Sequence, residues 1–272
     1  MYKLVKLNLA RNCLRYAIKT YGISQIWLPY YTCPTVWQAV RKENCKIKFY
    51  HIDKDFLPTI EFDKDDFILY TNYFGLNSEN CKILAKKYPN IIIDNSQSFY
   101  TEPMGLCSFQ SLRKFFNVQY GAYLYTKKVL DYKFEIDNLV LEPIQPKEDY
   151  NKFVQNEIIL NSQNIKSISP LVEKQMQNID FENDKKERIL QFNTYKKELD
   201  KYNEIKLSPN DNEIPYCYPL QTDNIAIKKQ LANNGEILIK LWQTATEKHF
   251  SDIVGIKIWG LIFKPHIFHL YA

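Results

Sequence analysis

Ile91-Ile92-Ile93-Asp94-Asn95-Ser96-Gln97-Ser98-Phe99 is the stretch on which the fold turns, with Ser108-Phe109-Gln110-Ser111-Leu112-Arg113-Lys114 close behind it. The first opens as an apolar β-branched run and ends on a single carboxylate. A short run of that kind marks a strand buried on both faces. The second supplies small hydroxyls and then two cations. A buried strand that delivers an acid, with a lysine about twenty residues on, is a way to hold pyridoxal phosphate (PLP). The carboxylate keeps the pyridine nitrogen protonated, the lysine carries the aldehyde, and hydroxyls with backbone N–H groups take the phosphate. The same spacing also describes an acid that merely closes a strand and a lysine at the surface.

Upstream, Leu9, Cys13, Leu14, Ala17 and Ile18 share one helical face, with Asn8 as N-cap and Gly22 as the stop. Residues 26–28 form a short strand closed by Pro29, and the loop that follows leads into a helix around residues 35–40. Residues 47–52 alternate as a strand, and residues 67–71 make another that runs into Asn72-Tyr73-Phe74-Gly75. Residues 78–88 are an amphipathic helix. Strands separated by helices of this length indicate an α/β fold with a mostly parallel central sheet flanked by helices. Ligands of such sheets bind beyond the carboxyl ends of the strands. Asp94, Pro29-Tyr30-Tyr31 and Asn72-Tyr73-Phe74 all fall at such ends.

Downstream, Gly121 leads a strand that runs to Tyr125, and residues 127–149 read as a polar crossover or loop. Residues 150–206 hold two long charged helical stretches; the second, 180–202, reads as a solvated or dimer-lining helix. The stretch Tyr216-Cys217-Tyr218-Pro219-Leu220, a helix at about 223–233 stopped by Gly235, and apolar strands at 237–239 and 256–263 make a small α+β unit. The expected division is a large domain over 1–205 and a small C-terminal domain over 206–272.

Composition narrows the function classes. The net charge of +5 is spread thinly, without an Arg-rich helix or dense basic block, which gives nucleic-acid binding no support. No run of eighteen apolar residues exists, so no spanning helix is expected. The six cysteines lack a CxxC pair and the N-terminus lacks a leader pattern, so a cytoplasmic protein with reduced thiols is expected. His266 and His269 have no third ligand nearby, and no metal site is expected. No P-loop or GxGxxG occurs.

Several stretches in order resemble the DegT/DnrJ/EryC/StrS sugar aminotransferases, PLP enzymes of fold type I. Leu28-Pro29-Tyr30-Tyr31-Thr32 is similar to the family's Pro-x-x-Thr loop, and Asn72-Tyr73-Phe74-Gly75 to its His-x-Tyr-Gly turn. Ile93-Asp94-Asn95-Ser96-Gln97-Ser98 resembles Glu-Asp-Ala-Ala-Gln-Ala. Ser108-Phe109, a following lysine and Gly121-Ala122 resemble Ser-Phe-x-x-x-Lys…Gly-Gly-Ala. The resemblance implies PLP as cofactor, an amino donor and a nucleotide-linked keto-sugar as substrates, and a homodimer. It implies Asp94 at the pyridine nitrogen, Gln97 at the ring face or hydroxyl, Ser108 at the phosphate and Lys114 as the catalytic amine. The start of the first helix, near Arg11 and Asn12, would offer N–H groups to the phosphate, and Tyr31 or Tyr30 would stack on the ring.

The chain departs from the pattern at instructive places. Aligned without a gap, the family lysine falls on Arg113, and Lys114 comes one residue late. An arginine stays protonated and cannot take the aldehyde. Either the turn has shifted by one, with Lys114 as nucleophile and Arg113 as the cation that lowers its pKa, or the chain is a catalytically degenerate relative that binds or regulates. Cys33 stands where a ring-stacking aromatic is usual, and the first helix reads Leu9-Ala10-Arg11-Asn12 in place of Ser-Gly-Thr.

Overall fold

Ile91–Asp94 (β5) lies in the interior of the sheet, as its unbroken β-branched run requires. It pairs in parallel with Ile68–Thr71 (β4) and Cys107–Ser111 (β6), and all four of its residues are buried. The computed structural model describes residues 1–141, 150–236, 238–242 and 258–262. With Lys3–Leu7 (β1), Gln25–Pro29 (β2), Lys46–Tyr50 (β3) and Ala122–Thr126 (β7), a seven-stranded sheet stands in the order β1-β7-β6-β5-β4-β2-β3. The pairs from β3 to β6 are parallel, while β6–β7 and β7–β1 are antiparallel. The mostly parallel α/β sheet expected from the strand–helix alternation is therefore present. Strand order reverses at β2, which has β3 on one side and β4 on the other. Right-handed crossovers then send Pro34–Lys42 (α2) and Ser78–Lys87 (α3) to opposite faces.

Two strands were not legible as apolar runs. The edge strand β1 alternates lysine with aliphatics. In β6, Cys107-Ser108-Phe109-Gln110-Ser111 interleaves polar side chains, yet all five are buried. Gln110 meets part of that cost by donating to the Phe99 carbonyl at 2.6 Å.

The first helix, Ala10–Tyr21 (α1), closes at Gly22, whose φ of +63° suits glycine. Its N-cap is Leu9 instead of Asn8, whose Oδ1 already accepts from Asn12 Nδ2 at 2.9 Å and from the Lys166 N–H at 3.4 Å. Residues 150–206 contain three α-helices where two were expected: Tyr150–Ser162 (α4), Pro170–Gln177 (α5) and Phe181–Leu199 (α6). α6 turns one stripe inward, while the residues between are exposed or half-buried, as in a solvated helix. Asp184, Arg188, Phe192, Tyr195 and Leu199 form one buried stripe at helical spacing. Charged residues inside that stripe disguised it in the sequence.

A second, antiparallel sheet stands in the order Cys217–Gln221 (β8), Ile258–Ile262 (β10), Leu238–Lys240 (β9), with Ile225–Asn233 (α7) between β8 and β9. His266 and His269 lie outside the described residues. Among the described residues no His/Cys/Asp/Glu cluster could hold a metal, and no helix is long and apolar enough to cross a membrane. All six cysteines are buried and free.

Candidate active site

A cleft opens over the carboxyl ends of β5 and β6. One wall is the start of α1, at Leu9, Ala10 and Arg11, with Cys33 and Thr35 beside it. The other wall carries Asp94, Ser96, Phe109, Ser111, Arg113, Lys114 and Gly121. Its free volume is about 40 Å³. Backbone bonds stitch the two walls together: Gly121 donates to the Asn8 carbonyl at 2.8 Å, and Leu112 donates to the Gly121 carbonyl at 3.0 Å.

Asp94 is delivered by β5 and fully enclosed. The Ser96 N–H donates to its Oδ1 at 2.8 Å, and the Ser96 hydroxyl donates to the same oxygen. Burial pushes this carboxyl above its usual 3.8, while the Lys114 charge and the two Ser96 bonds pull it back down. Lys114 ends the short 3₁₀ turn Leu112–Lys114 that follows β6. It is half-buried, and no ion pair of 4 Å or less joins it to Asp94 among the described residues. Both residues line the cleft, and the Lys114 charge acts on the Asp94 carboxyl without an ion pair between them.

Arg113, one residue earlier, turns to Glu157 of α4, bonding its Oε1 at 2.7 Å. Arg11 bonds the other oxygen, Oε2, at 3.0 Å. Burial would raise the Glu157 carboxyl, but the two arginines override it and hold it below its usual 4.5. Arg11 Nη1 is buried without a hydrogen-bond partner. The start of α1 beside it carries no side-chain cap and no acid in its first turn. Unsatisfied N–H groups, a positive helix end and a guanidinium in one place suit an anion.

The remaining candidates divide. Asp94, Arg113 and Lys114 meet in the cleft; Gln97, Ser108, Tyr31 and Asn12 are not in its lining. Gln97 accepts from the Phe74 N–H at 2.9 Å and so braces the 72–75 turn. Gly75 there has φ +74°, and a Cβ would lie 2.7 Å from the Gln97 carbonyl. Ser108 pairs with Ile93, on the face of β6 opposite to Phe109 and Ser111, and its hydroxyl is buried without a partner. Tyr31 is wholly buried against Tyr73 and Trp242, with ring centroids 5.8 and 4.6 Å away. Asn12 donates to Asn8 Oδ1 at 2.9 Å and to the Asn164 carbonyl at 2.8 Å.

Sequence reasoning missed Glu157, Ser96, Ser111 and Arg188. Ser111 was recoverable from strand alternation, since it shares the face of Phe109. Glu157 was not, because nothing local ties residue 157 to residues 11 and 113. Arg188 is fully buried and donates from Nη2 to the Phe115 carbonyl at 2.8 Å, directly after Lys114.

No family model matches the chain, and no curated protein does. Solved structures do. A DegT DnrJ EryC1 StrS aminotransferase from Brucella abortus is 15% identical, over 96% of this chain and 80% of its own, with a TM-score of 0.62. The sugar aminotransferase CalS13 from Micromonospora echinospora is 13% identical, over 96% and 82%, with a TM-score of 0.60. Spr1654 from Streptococcus pneumoniae, solved in a PLP form, is 10% identical, over 96% and 82%, with a TM-score of 0.61. At these identities what is shared is the fold. The chain has the fold of the PLP-dependent sugar aminotransferases.

Proposed function

We propose that the cleft binds PLP and that the chain is an aminotransferase acting on a nucleotide-linked keto-sugar. The observation that carries this is the placement of Lys114 with Asp94 in a cleft that also holds the open start of α1, Arg11 and Arg113. The residues fit the group. Asp94 is a buried carboxylate that makes no ion pair among the described residues, and a protonated pyridine nitrogen would give it one. The uncapped helix start, the Ser111 hydroxyl and the unpartnered Arg11 Nη1 fit a phosphate.

When bound, the cofactor's aldehyde takes the amino group from a donor and passes it to the keto-sugar. Lys114 Nζ would hold that aldehyde and would carry the proton to and from the donor's α-carbon. Asp94 keeps the ring nitrogen protonated, and Ser96 fixes the carboxylate in place. The engagement of Arg113 with Glu157 favours Lys114 as nucleophile over the degenerate alternative. Sugar aminotransferases among the structures of this fold support the substrate class.

The same reading includes a cytoplasmic homodimer with domains over 1–205 and 206–272. Tyr132, Ile136 and Val140, exposed on one segment, fit burial against a second copy. Light scattering tests the dimer.

Adding PLP to the purified protein tests the function. A new absorbance band is expected, with borohydride reduction fixing the label on the peptide that contains Lys114. A colourless protein, or a label on any other lysine, overturns the reading.

A further inference from the structure

Two arginines of the cleft wall already share an anion of the chain itself. Glu157 lies between Arg11 and Arg113 with one carboxylate oxygen on each, at 3.0 and 2.7 Å. All three side chains are close to nine-tenths buried, at 10, 11 and 14% exposure for Arg11, Arg113 and Glu157. Two guanidiniums so placed repel each other, and Arg113 helps lower Arg11. Some anion must sit between them. A carboxylate with one oxygen on each arginine has the charge and the span of a phosphate. The free volume of about 40 Å³ is also far below the roughly 300 Å³ or more of a formed ligand pocket, so admitting a phosphorylated ligand requires something to leave.

Glu157 is the group best placed to leave. Among the described side chains of α4, Leu160 is the only buried one. The chain just past α4 is held firmly, because the Asn164 carbonyl accepts from both Asn8 and Asn12. Glu157 lies on the N-terminal side of these anchors. Loss of its two ion pairs would loosen α4 at Glu157 while the C-terminal end stays fixed.

We propose that Glu157 is a tethered stand-in for phosphate, and that a phosphoryl ligand binds by displacing it from Arg11 and Arg113 and loosening α4 at Glu157. The inference rests on the reading of this cleft as a phosphoryl site. It adds a competitor built into the chain, which sets ligand affinity and couples occupancy to α4.

Titration calorimetry with inorganic phosphate on the full chain tests it. E157Q keeps the size of the side chain and removes its charge, and is expected to bind phosphate at least about tenfold more tightly than the parent. In the parent, phosphate is expected to speed limited proteolysis within α4. Equal or weaker binding by a folded E157Q overturns the proposal and leaves Glu157 as a structural tether. If E157Q does not fold, E157D serves instead: its shorter side chain spans the arginines poorly, so tighter phosphate binding supports the proposal, and equal or weaker binding overturns it. Phosphate has no aldehyde, so the result is independent of Lys114. A gain in E157Q without a PLP label on Lys114 keeps this inference and removes the proposed function.

Discussion

Arg188 grips Phe115 twice. Its Nη2 donates to the Phe115 carbonyl at 2.8 Å, and its Cζ lies 4.3 Å from the centre of the Phe115 ring. The guanidinium is in turn fixed by Asp184, which accepts from Nε at 2.8 Å and from the Tyr100 hydroxyl at 2.6 Å. One buried cation on α6 therefore holds the turn that presents Lys114. Replacing it by methionine leaves Asp184 buried without this cation, a loss of about 3–5 kcal/mol in urea unfolding. D184N made together with R188M removes the stranded charge, and the double variant is expected to recover at least about 1 kcal/mol of that loss. Equal losses in the single and double variants would show that packing on Phe115, and not the charge pair, carries the stability.

Asp94 and Glu157 make opposite contributions to stability as pH changes. Asp94 is raised in the folded protein, so what it adds to stability is present below the usual 3.8 and is lost as pH rises through the folded value. At neutral pH its buried charge is a cost. D94N is therefore expected to raise Tm at pH 7 by about 2–4 °C while abolishing PLP binding, with the gain vanishing near pH 3.5. Glu157 is lowered, so its contribution is present above the usual 4.5 and is lost as pH falls through the folded value. E157Q is expected to lower Tm at pH 7, and progressively less toward acid. Thermal melts of both variants from pH 3.5 to 7.5 check the two signs.

Gly121 is irreplaceable for two separate reasons. Its φ is +115°, and a Cβ would meet Val172 Cγ1 at 2.9 Å and Leu112 Cδ1 at 3.0 Å. G121A is expected to cost about 2–4 kcal/mol, from backbone strain together with overpacking. Gly22, with φ +63° and open space around it, provides the control. G22A is expected to cost only about 1 kcal/mol. Denaturant midpoints of the two variants separate crowding from backbone strain.

The two halves of the Ile91–Lys114 stretch were unequally legible in the sequence. The β5 run and its terminal Asp94 could be read from residues alone, because burial on both faces leaves an unbroken apolar signature. The parallel sheet followed from the alternation of such runs with helices. Tyr31 shows the limit. The sequence places an aromatic in the right loop, but which of four neighbouring positions faces the cleft depends on loop geometry, and Cys33 lines the cleft instead. Ser108 fails for a related reason: strand alternation decides its face, and β6 was not recognised as a strand. The Arg11–Glu157–Arg113 bridge joins residues far apart in the chain and has no local pattern at all.

The register at residues 113 and 114 yields the sharpest chemical test. Position 113 points its side chain at Glu157, and position 114 lines the cleft with Asp94 and acts on its charge. An amine at 113 would then be captured by Glu157, or by the phosphate that displaces it, and held from the aldehyde. K114A is expected to lose the borohydride-fixed PLP label completely, and R113K/K114A is expected not to regain it, even though a lysine then stands in the family's ungapped position. R113K alone should keep the label on Lys114 with PLP affinity weakened by about tenfold, because lysine cannot give the paired contacts of a guanidinium. Peptide mass mapping after reduction reads all three variants. A label on residue 113 of the double variant would mean that the turn can slip by one residue, and that the ungapped alignment describes a competent site after all.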